Sequence, residues 1–132
     1  MITISEFQKK KISKQKISMV TCYDYAFARI LSNTNIDALL VGDSAAQVMH
    51  GHSTTLNAST QMLALHTQAV SKGAPNKFLV ADMPFLSTRK GLKTSMDSIE
   101  RLMKAGAQLV NGLGCQAQMP HDGHSGIYDM PD

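Results

Sequence analysis

Apolar runs that end on an aspartate constrain the fold of this chain more than any other feature. LLVGDS (39–44) is almost continuously apolar until Asp43, and FLVADMP (78–84) repeats the pattern with Asp82. A strand with one solvated face alternates apolar and polar residues, whereas a strand covered on both faces is apolar throughout. We therefore predict two buried strands with an aspartate at the carboxyl end of each.

Segments in which apolar residues recur at helical spacing separate these runs. The periodicity predicts helix 2–10, strand 17–24, helix 25–34, strand 36–44, loop 45–57, helix 60–72, strand 78–84, helix 95–107 and a strand from 108. Apolar strands that alternate with helices are typical of a parallel sheet covered by helices. Both a (β/α) barrel and an open doubly wound sheet have this pattern.

The two aspartates are candidate ligands of a metal ion. In both architectures ligands bind at the carboxyl ends of the strands, so Asp43 and Asp82 are expected to face the same cleft. Two carboxylates there can bind a hard divalent cation such as magnesium. The alternative for each aspartate alone is a turn or helix cap, because Asp is common in such loops.

Composition excludes several classes of protein. Hydrophobic residues make up 43% of the 132 residues and charged residues 17%, which is typical of a globular protein rather than a disordered one. No apolar stretch approaches the ~20 residues of a membrane span, and the amino terminus lacks a secretory signal. Two cysteines, Cys22 and Cys115, do not make a disulfide framework. We expect a cytoplasmic protein with free thiols.

The formal net charge of +3 is concentrated near the amino terminus, where five lysines lie between residues 9 and 16. Such a cluster can bind nucleic acid or a membrane surface, or it can be a solvated helix end. No aromatic side chains are interleaved with these lysines to stack on bases, so we favour the solvated helix end. Neither nucleic acid nor a membrane is an expected partner.

Seven motifs in a fixed order give the chain a resemblance to a known family. They are ITISEFQKKK (2–11), TCYDYAFA (21–28), LLVGDS (39–44), GHSTTL (51–56), HTQAVSKGAPN (66–76), VADMPF (80–85) and RLMKAGAQLV (101–110). From about residue 3 to residue 110 the sequence resembles ketopantoate hydroxymethyltransferases, enzymes of pantothenate and coenzyme A biosynthesis. VGDS followed at this distance by VADMPF is the most specific element of the resemblance.

The resemblance implies a fold, a reaction and a set of ligands. Members of the family are (β/α)8 TIM barrels that form homo-oligomers and use Mg2+. They transfer a hydroxymethyl group from 5,10-methylenetetrahydrofolate to 3-methyl-2-oxobutanoate, which gives 2-dehydropantoate. By the same resemblance, Asp43 and Asp82 bind the metal, and Asp43, Ser44 and Asp82 bind the 2-oxo acid.

The similarity stops at Asn111. The family continues there with Lys, an apolar residue, Glu and two glycines, whereas this chain reads NGLGC. Asn111 therefore replaces a substrate-binding lysine and Leu113 a metal-site glutamate, and the family's general-base glutamate falls beyond residue 132. We expect an incomplete barrel over 1–110 followed by a divergent, disordered tail over 111–132. A shifted reading frame would explain the change, and translating the gene in its other frames would test this.

Two other functional interpretations remain open beside an impaired transferase. The first is a catalytically inactive half-barrel that serves only in binding or assembly, and the second is a barrel of the phosphoenolpyruvate mutase or carbon–carbon lyase type. Three or four strands cannot close an eight-stranded barrel, so the outer edge of the fourth strand is expected to be unpaired.

Several further side chains are ambiguous in the sequence alone. His50 and His52 follow the second strand and could lie near the site, whereas His66 lies within a helix and is expected to be structural. Tyr23 and Asp24 could line the site or form a structural corner. The HDGH stretch (121–124) has no metal-site spacing and is assigned to the tail.

Overall fold

The chain alternates strands and helices in the predicted order. A computed structural model describes residues 2–84, 87, 90–112, 115–118 and 126–128. The elements are α1 (Ile4–Ile12), β1 (Met19–Thr21), α2 (Tyr25–Ser32), β2 (Ala38–Val41), α3 (Ala45–Val48), a 3-10 turn (Thr55–Asn57), α4 (Thr60–Gly73), β3 (Phe78–Asp82), α5 (Leu92–Lys104), β4 (Leu109–Gly112), β5 (Cys115–Gln118) and β6 (Gly126–Tyr128). Within the described part of the chain, no helix is long and apolar enough to cross a membrane.

The first four strands form a parallel sheet in the order in which they occur along the chain. A doubly wound sheet reverses its strand order at a switch point, whereas a barrel keeps the sequence order throughout. Both the predicted α/β class and the predicted N-terminal part of a (β/α)8 barrel are therefore confirmed.

Two clusters of buried side chains cover the two faces of the sheet. The larger cluster packs the sheet against the outer helices, and its fully buried members include Leu39, Val41, Leu63, Val70, Leu102 and Val110. The smaller cluster lies on the opposite face, where Phe7 of α1 contacts Phe78 edge-on with ring centroids 4.9 Å apart. Helix α1 therefore closes this face near the amino ends of β2 and β3.

An ion pair between the buried Asp37 and the half-buried Lys10 fixes α1 to the amino end of the sheet. Asp37 is only 5% exposed, and its Oδ1 accepts a hydrogen bond from Lys10 Nζ at 2.7 Å. Its Oδ2 accepts from the Ser18 backbone N–H at 2.9 Å. The Lys10 ammonium, together with this N–H, holds the pKa of Asp37 below its ordinary value. A buried carboxylate needs such partners, so this cluster stabilises the connections before β1 and β2.

The segment after β2 is more ordered than the sequence indicates. The prediction of a loop over 45–57 is wrong, because α3 and the 3-10 turn lie within it. Ala45 and Ala46 are completely buried, so packing of these two small side chains stabilises a helix of a single turn. One turn contains no repeat, and for this reason the apolar periodicity could not reveal it.

The outer edge of β4 is paired. Strand β5 runs antiparallel to β4 with Val110 opposite Ala117, and β6 pairs with β5 in turn. The expectation of an unpaired edge is therefore wrong. These two strands lie within the segment predicted as a disordered tail. The HDGH stretch at 121–124 lies outside the described residues.

Replacing Asp37 by Asn tests the ion pair with Lys10. The variant removes a charge-assisted hydrogen bond and is expected to lower the free energy of unfolding at pH 7 by about 1.5–3 kcal/mol. Because folding lowers the pKa of Asp37, its stabilisation is complete above the unfolded pKa of about 3.9 and is lost as the pH falls through the folded value. Urea unfolding at pH 7 and at pH 3 measures both effects.

A matched control for this test is Asp97→Asn, since Asp97 is an exposed aspartate on α5. It should leave the urea midpoint unchanged at both pH values. Equal stabilities of Asp37→Asn and the parent chain at pH 7 would contradict the assigned role.

Candidate functional site

Asp43 and Asp82 lie side by side at the carboxyl ends of β2 and β3. The Asp43 backbone N–H donates a hydrogen bond to Asp82 Oδ2 at 3.2 Å. Val41 pairs with Ala81 in the parallel register, so Gly42 reaches the level of Asp82, the last residue of β3. The structure thus brings together the two aspartates that the sequence places at neighbouring strand ends.

Gly42 gives Asp82 room to approach the end of β2. A Cβ atom at residue 42 would lie 3.3 Å from Asp82 Oδ2 and 3.1 Å from Ser44 Oγ. Both distances are shorter than ordinary van der Waals contacts. A glycine at this position therefore allows the Asp82 carboxylate and the Ser44 hydroxyl to approach the backbone of residue 42 closely.

The two carboxyl groups interact unfavourably. Partial burial, followed by the negative charge of Asp82, raises the pKa of Asp43. The Ser44 backbone N–H and the Thr55 hydroxyl offset part of this increase by hydrogen bonding to the charged form. Like charges held this close are typical of functional sites, where a cation or a shared proton relieves the repulsion.

Ser44 is positioned by a residue from a third strand end. Tyr23 follows β1, and its Oη lies 2.7 Å from Ser44 Oγ. Tyr23 is half-buried and packs against the main core cluster, which fixes its ring. From the sequence alone, Tyr23 could line the site or form a structural corner. The structure places its hydroxyl at the site.

Asn111 completes the arrangement from β4. It is paired with Asp82 in the parallel register, and its Nδ2 donates to Asp82 Oδ1 at 3.1 Å. Its backbone carbonyl accepts from the Met83 N–H at 2.7 Å. Both carboxylate oxygens of Asp82 therefore accept one N–H each. Leu113, the other substituted position, lies outside the described residues.

The donor set fits a hard cation with an incomplete protein shell. Asp43 and Asp82 offer carboxylate oxygens with free lone pairs, since each oxygen can accept more than one hydrogen bond. Magnesium is commonly held by one or two carboxylates, with substrate and water in the remaining positions. Within the described residues, no group of three or more His, Cys, Asp or Glu side chains is arranged to hold a metal.

Other candidates from the sequence have structural roles. Asp24 caps the amino end of α2, where its carboxylate accepts from the Phe27 N–H at 3.1 Å. Cys22 is a free thiol that is 1% exposed, and burial raises its pKa, which disfavours the reactive thiolate. Neither side chain is part of the carboxylate cluster.

The three histidines that the structure describes are a contacting pair, His50 and His66, and a separate residue, His52. His66 Nδ1 lies 2.6 Å from the Tyr23 carbonyl oxygen, and His66 Nε2 lies 2.8 Å from His50 Nε2. His52 is exposed, and its backbone N–H donates to the Ala46 carbonyl at 3.0 Å. No local sequence pattern predicts the His50–His66 pair, because sixteen residues and a change of element separate its members.

Comparison with solved structures supports the fold. The chain is similar to 2,3-dimethylmalate lyase, described as a member of the PEP mutase/isocitrate lyase superfamily, with a TM-score of 0.59. The match covers 78% of this chain and 37% of that protein, at 17% sequence identity. At this identity the likeness establishes the shared fold alone.

Sequence comparison identifies relatives across most of the chain. The enzyme named 3-methyl-2-oxobutanoate hydroxymethyltransferase from Coxiella burnetii is 59% identical over 112 residues, which cover 85% of this chain and 42% of the relative. Proteins of the same name from Bdellovibrio bacteriovorus and Legionella pneumophila are 58% and 43% identical, covering 90% and 94% of this chain and 45% and 52% of the relatives. The chain thus spans about half the length of these relatives.

The family itself is established by a match over nearly the whole sequence. A sequence model described as ketopantoate hydroxymethyltransferase matches residues 1–121, so the similarity extends beyond Val110. The chain belongs to the ketopantoate hydroxymethyltransferase family.

Proposed function

We propose that this chain carries the metal-binding and 2-oxo-acid-binding part of a 3-methyl-2-oxobutanoate hydroxymethyltransferase site, with impaired activity. The reaction would transfer a hydroxymethyl group from 5,10-methylenetetrahydrofolate to 3-methyl-2-oxobutanoate. The names of the relatives indicate the transferred group and the acceptor. The observation that carries the proposal is the convergence of Asp43, Ser44 and Asp82 at adjacent strand ends. We also propose that this chain assembles as a homo-oligomer, as the resemblance to the family implies.

Asp43 and Asp82 would hold the magnesium ion. A divalent cation beside both carboxylates would remove the repulsion that raises the pKa of Asp43. When bound, magnesium would withdraw electron density from the 2-oxo acid and make its C3 proton more acidic. The two aspartates would therefore serve both to bind the ion and to orient the acid.

Ser44 would orient the carboxylate of the substrate. Tyr23 can donate its phenolic proton to Ser44 Oγ at 2.7 Å, which leaves the serine proton free to donate elsewhere. A carboxylate accepts such a bond readily, because charge-assisted hydrogen bonds are stronger than neutral ones. Tyr23 would act as a positioning residue in this arrangement.

Asn111 accounts for the proposed impairment. Its amide is neutral and donates to Asp82 Oδ1, so it brings no positive charge to the substrate carboxylate. In the family this position is occupied by the substrate-binding lysine. The loss of that charge weakens binding of the acid and leaves the negative charges of Asp43 and Asp82 less compensated.

The neutral Asn111 also favours a second candidate function. A site with two carboxylates, and with no cationic side chain beside Asp43 among the described residues, can bind a cation without binding an anionic substrate. Such a site describes a catalytically inactive binding or assembly module. The lyase alternative has only a likeness of fold at 17% identity in its favour. Proton exchange in the substrate separates the transferase from the inactive module.

Magnesium-dependent exchange at C3 of 3-methyl-2-oxobutanoate is the test of the proposed function. The chain is incubated with the acid in D2O, and loss of the C3 proton signal is followed by NMR with and without Mg2+. We expect slow exchange that needs Mg2+ and falls to the rate without protein in Asp43→Ala and in Asp82→Ala, because each variant removes one ligand.

Two further variants sharpen this experiment. Asp97→Ala removes an exposed aspartate on α5 and should exchange like the parent chain. Asn111→Lys restores a cation beside Asp82 and should raise the affinity for the acid by about tenfold. Exchange that is absent from the parent chain and from Asn111→Lys would establish the inactive module instead.

Asp43→Asn should stabilise the chain, although it removes a proposed ligand. Because folding raises the pKa of Asp43, its charged form disfavours the folded state once the pH exceeds the ordinary value near 3.8. The neutral amide avoids this cost, so we expect the free energy of unfolding at pH 7 to rise. Thermal unfolding without added metal measures the gain.

The pH dependence identifies the cause of that gain. Below about pH 3 both chains are neutral at this position, and their unfolding temperatures should converge. A loss of stability in Asp43→Asn at pH 7 would mean that the carboxylate is held by favourable contacts rather than opposed by Asp82.

A further inference from the structure

We propose that His50 and His66 form a binding site for a borderline divalent transition-metal ion such as Zn2+, distinct from the carboxylate pair. Their Nε2 atoms are 2.8 Å apart, with ring centroids at 5.1 Å and ring planes at 72°. Two imidazole nitrogens that converge in this way can be bridged by one ion, since zinc binds imidazole nitrogen at about 2.0–2.1 Å. Only a small widening of the pair is needed.

The orientation of His66 is the first support for this site. Its Nδ1 lies 2.6 Å from the Tyr23 carbonyl oxygen, which can only accept a hydrogen bond. His66 therefore carries its proton on Nδ1, and in the neutral ring the Nε2 lone pair points toward His50. Metal-binding histidines have the same arrangement, in which the second ring nitrogen donates to a carbonyl or carboxylate that fixes the tautomer.

The tautomer of His50 can change without a change of charge. In the neutral metal-free pair, His50 Nε2–H donates to the lone pair of His66 Nε2. His50 is exposed, so its proton can move through solvent from Nε2 to Nδ1. Both Nε2 lone pairs then face the ion, which replaces the proton between the rings. No net proton is released from neutral rings.

A cavity beside the pair offers space for the remaining ligands. It has a volume of about 470 Å3 and is lined by His50, Ser59, Gln61, Met62, Leu65 and His66. Met62 precedes His66 by one helical turn on α4, which places both side chains on the same face of the helix. Water and the Met62 thioether can supply further contacts to a borderline or soft ion, but not to magnesium.

A bound ion would connect two segments of the chain. His50 lies in the loop between α3 and the 3-10 turn, whereas His66 belongs to α4. An ion that binds both histidines in the folded chain, and does not bind the unfolded chain, stabilises the fold. Once the ion concentration exceeds Kd, this stabilisation increases with the logarithm of the concentration. The site therefore predicts a metal-dependent rise in unfolding temperature as well as binding.

Calorimetric titration of the full 132-residue chain with Zn2+ tests the site. We expect one ion per chain and a rise in unfolding temperature, both lost in His50→Ala. Because His50 is exposed, this variant should have the stability of the parent chain in the absence of metal. Loss of a direct ligand should reduce affinity by more than the roughly 10–100-fold that removal of an outer-shell partner costs. Co2+ in place of Zn2+ gives a visible absorption spectrum that reports nitrogen ligation.

Control variants separate this site from others that could bind zinc. His52→Ala, a double variant His121→Ala with His124→Ala, and Asp43→Ala should each retain the ion. Retention in Asp43→Ala also makes the result independent of the proposed magnesium site. Unchanged affinity in His50→Ala, or loss of binding only in the double variant or in Asp43→Ala, would overturn the proposal.

Discussion

The parallel pairing of β2 with β3 is the constraint on which the rest of the site depends. Val41 lies opposite Ala81, so Gly42 reaches the level of Asp82, the last residue of β3. The N–H of Asp43 then lies within hydrogen-bonding distance of the Asp82 carboxylate. Successive side chains of a strand point to opposite faces, so a slip of one residue would turn Asp82 away from this edge. The packing of both strand faces opposes that slip, because it would exchange the side chains of the two buried clusters. Packing of the core thus determines how far apart the carboxylates of Asp43 and Asp82 lie, although neither residue belongs to the core.

The two ends of β2 hold aspartates in opposite electrostatic states. Asp37, before the strand, is buried with a lysine and a backbone N–H, and its pKa is lowered. Asp43, after the strand, is partly buried beside Asp82, and no cationic side chain in the described part of the chain lowers its pKa, which is raised. The first arrangement stabilises the fold, whereas the second opposes it and is relieved by a cation. In (β/α)8 barrels, ligands bind at the carboxyl ends of the strands, where two carboxylates that repel each other can bind a cation.

The fold and the acidic pair were predictable because both follow from local patterns. Apolar strands, helical periodicity and the position of each aspartate all lie within short windows of sequence, and the parallel sheet follows from their alternation. Contacts between distant segments were not predictable. Gly73 is the last residue of α4, and a Cβ there would lie 2.7 Å from the Ala28 Cβ, so its small size allows α4 to approach α2. The pairing of β5 with β4 and the contact of Tyr23 with Ser44 likewise depend on tertiary structure.

Tyr23 connects the two proposed ion sites, and their donor atoms keep them chemically distinct. Its hydroxyl contacts Ser44 beside the carboxylates, while its carbonyl fixes the tautomer of His66. Carboxylate oxygens favour hard ions that retain their water, whereas imidazole nitrogens favour borderline ions. A transition metal and magnesium would therefore divide between neighbouring sites by donor chemistry rather than by size. Because Tyr23 contacts both sites, an ion bound to the histidine pair would restrict the backbone of Tyr23. The position of the Tyr23 hydroxyl beside Ser44 would then be restricted as well.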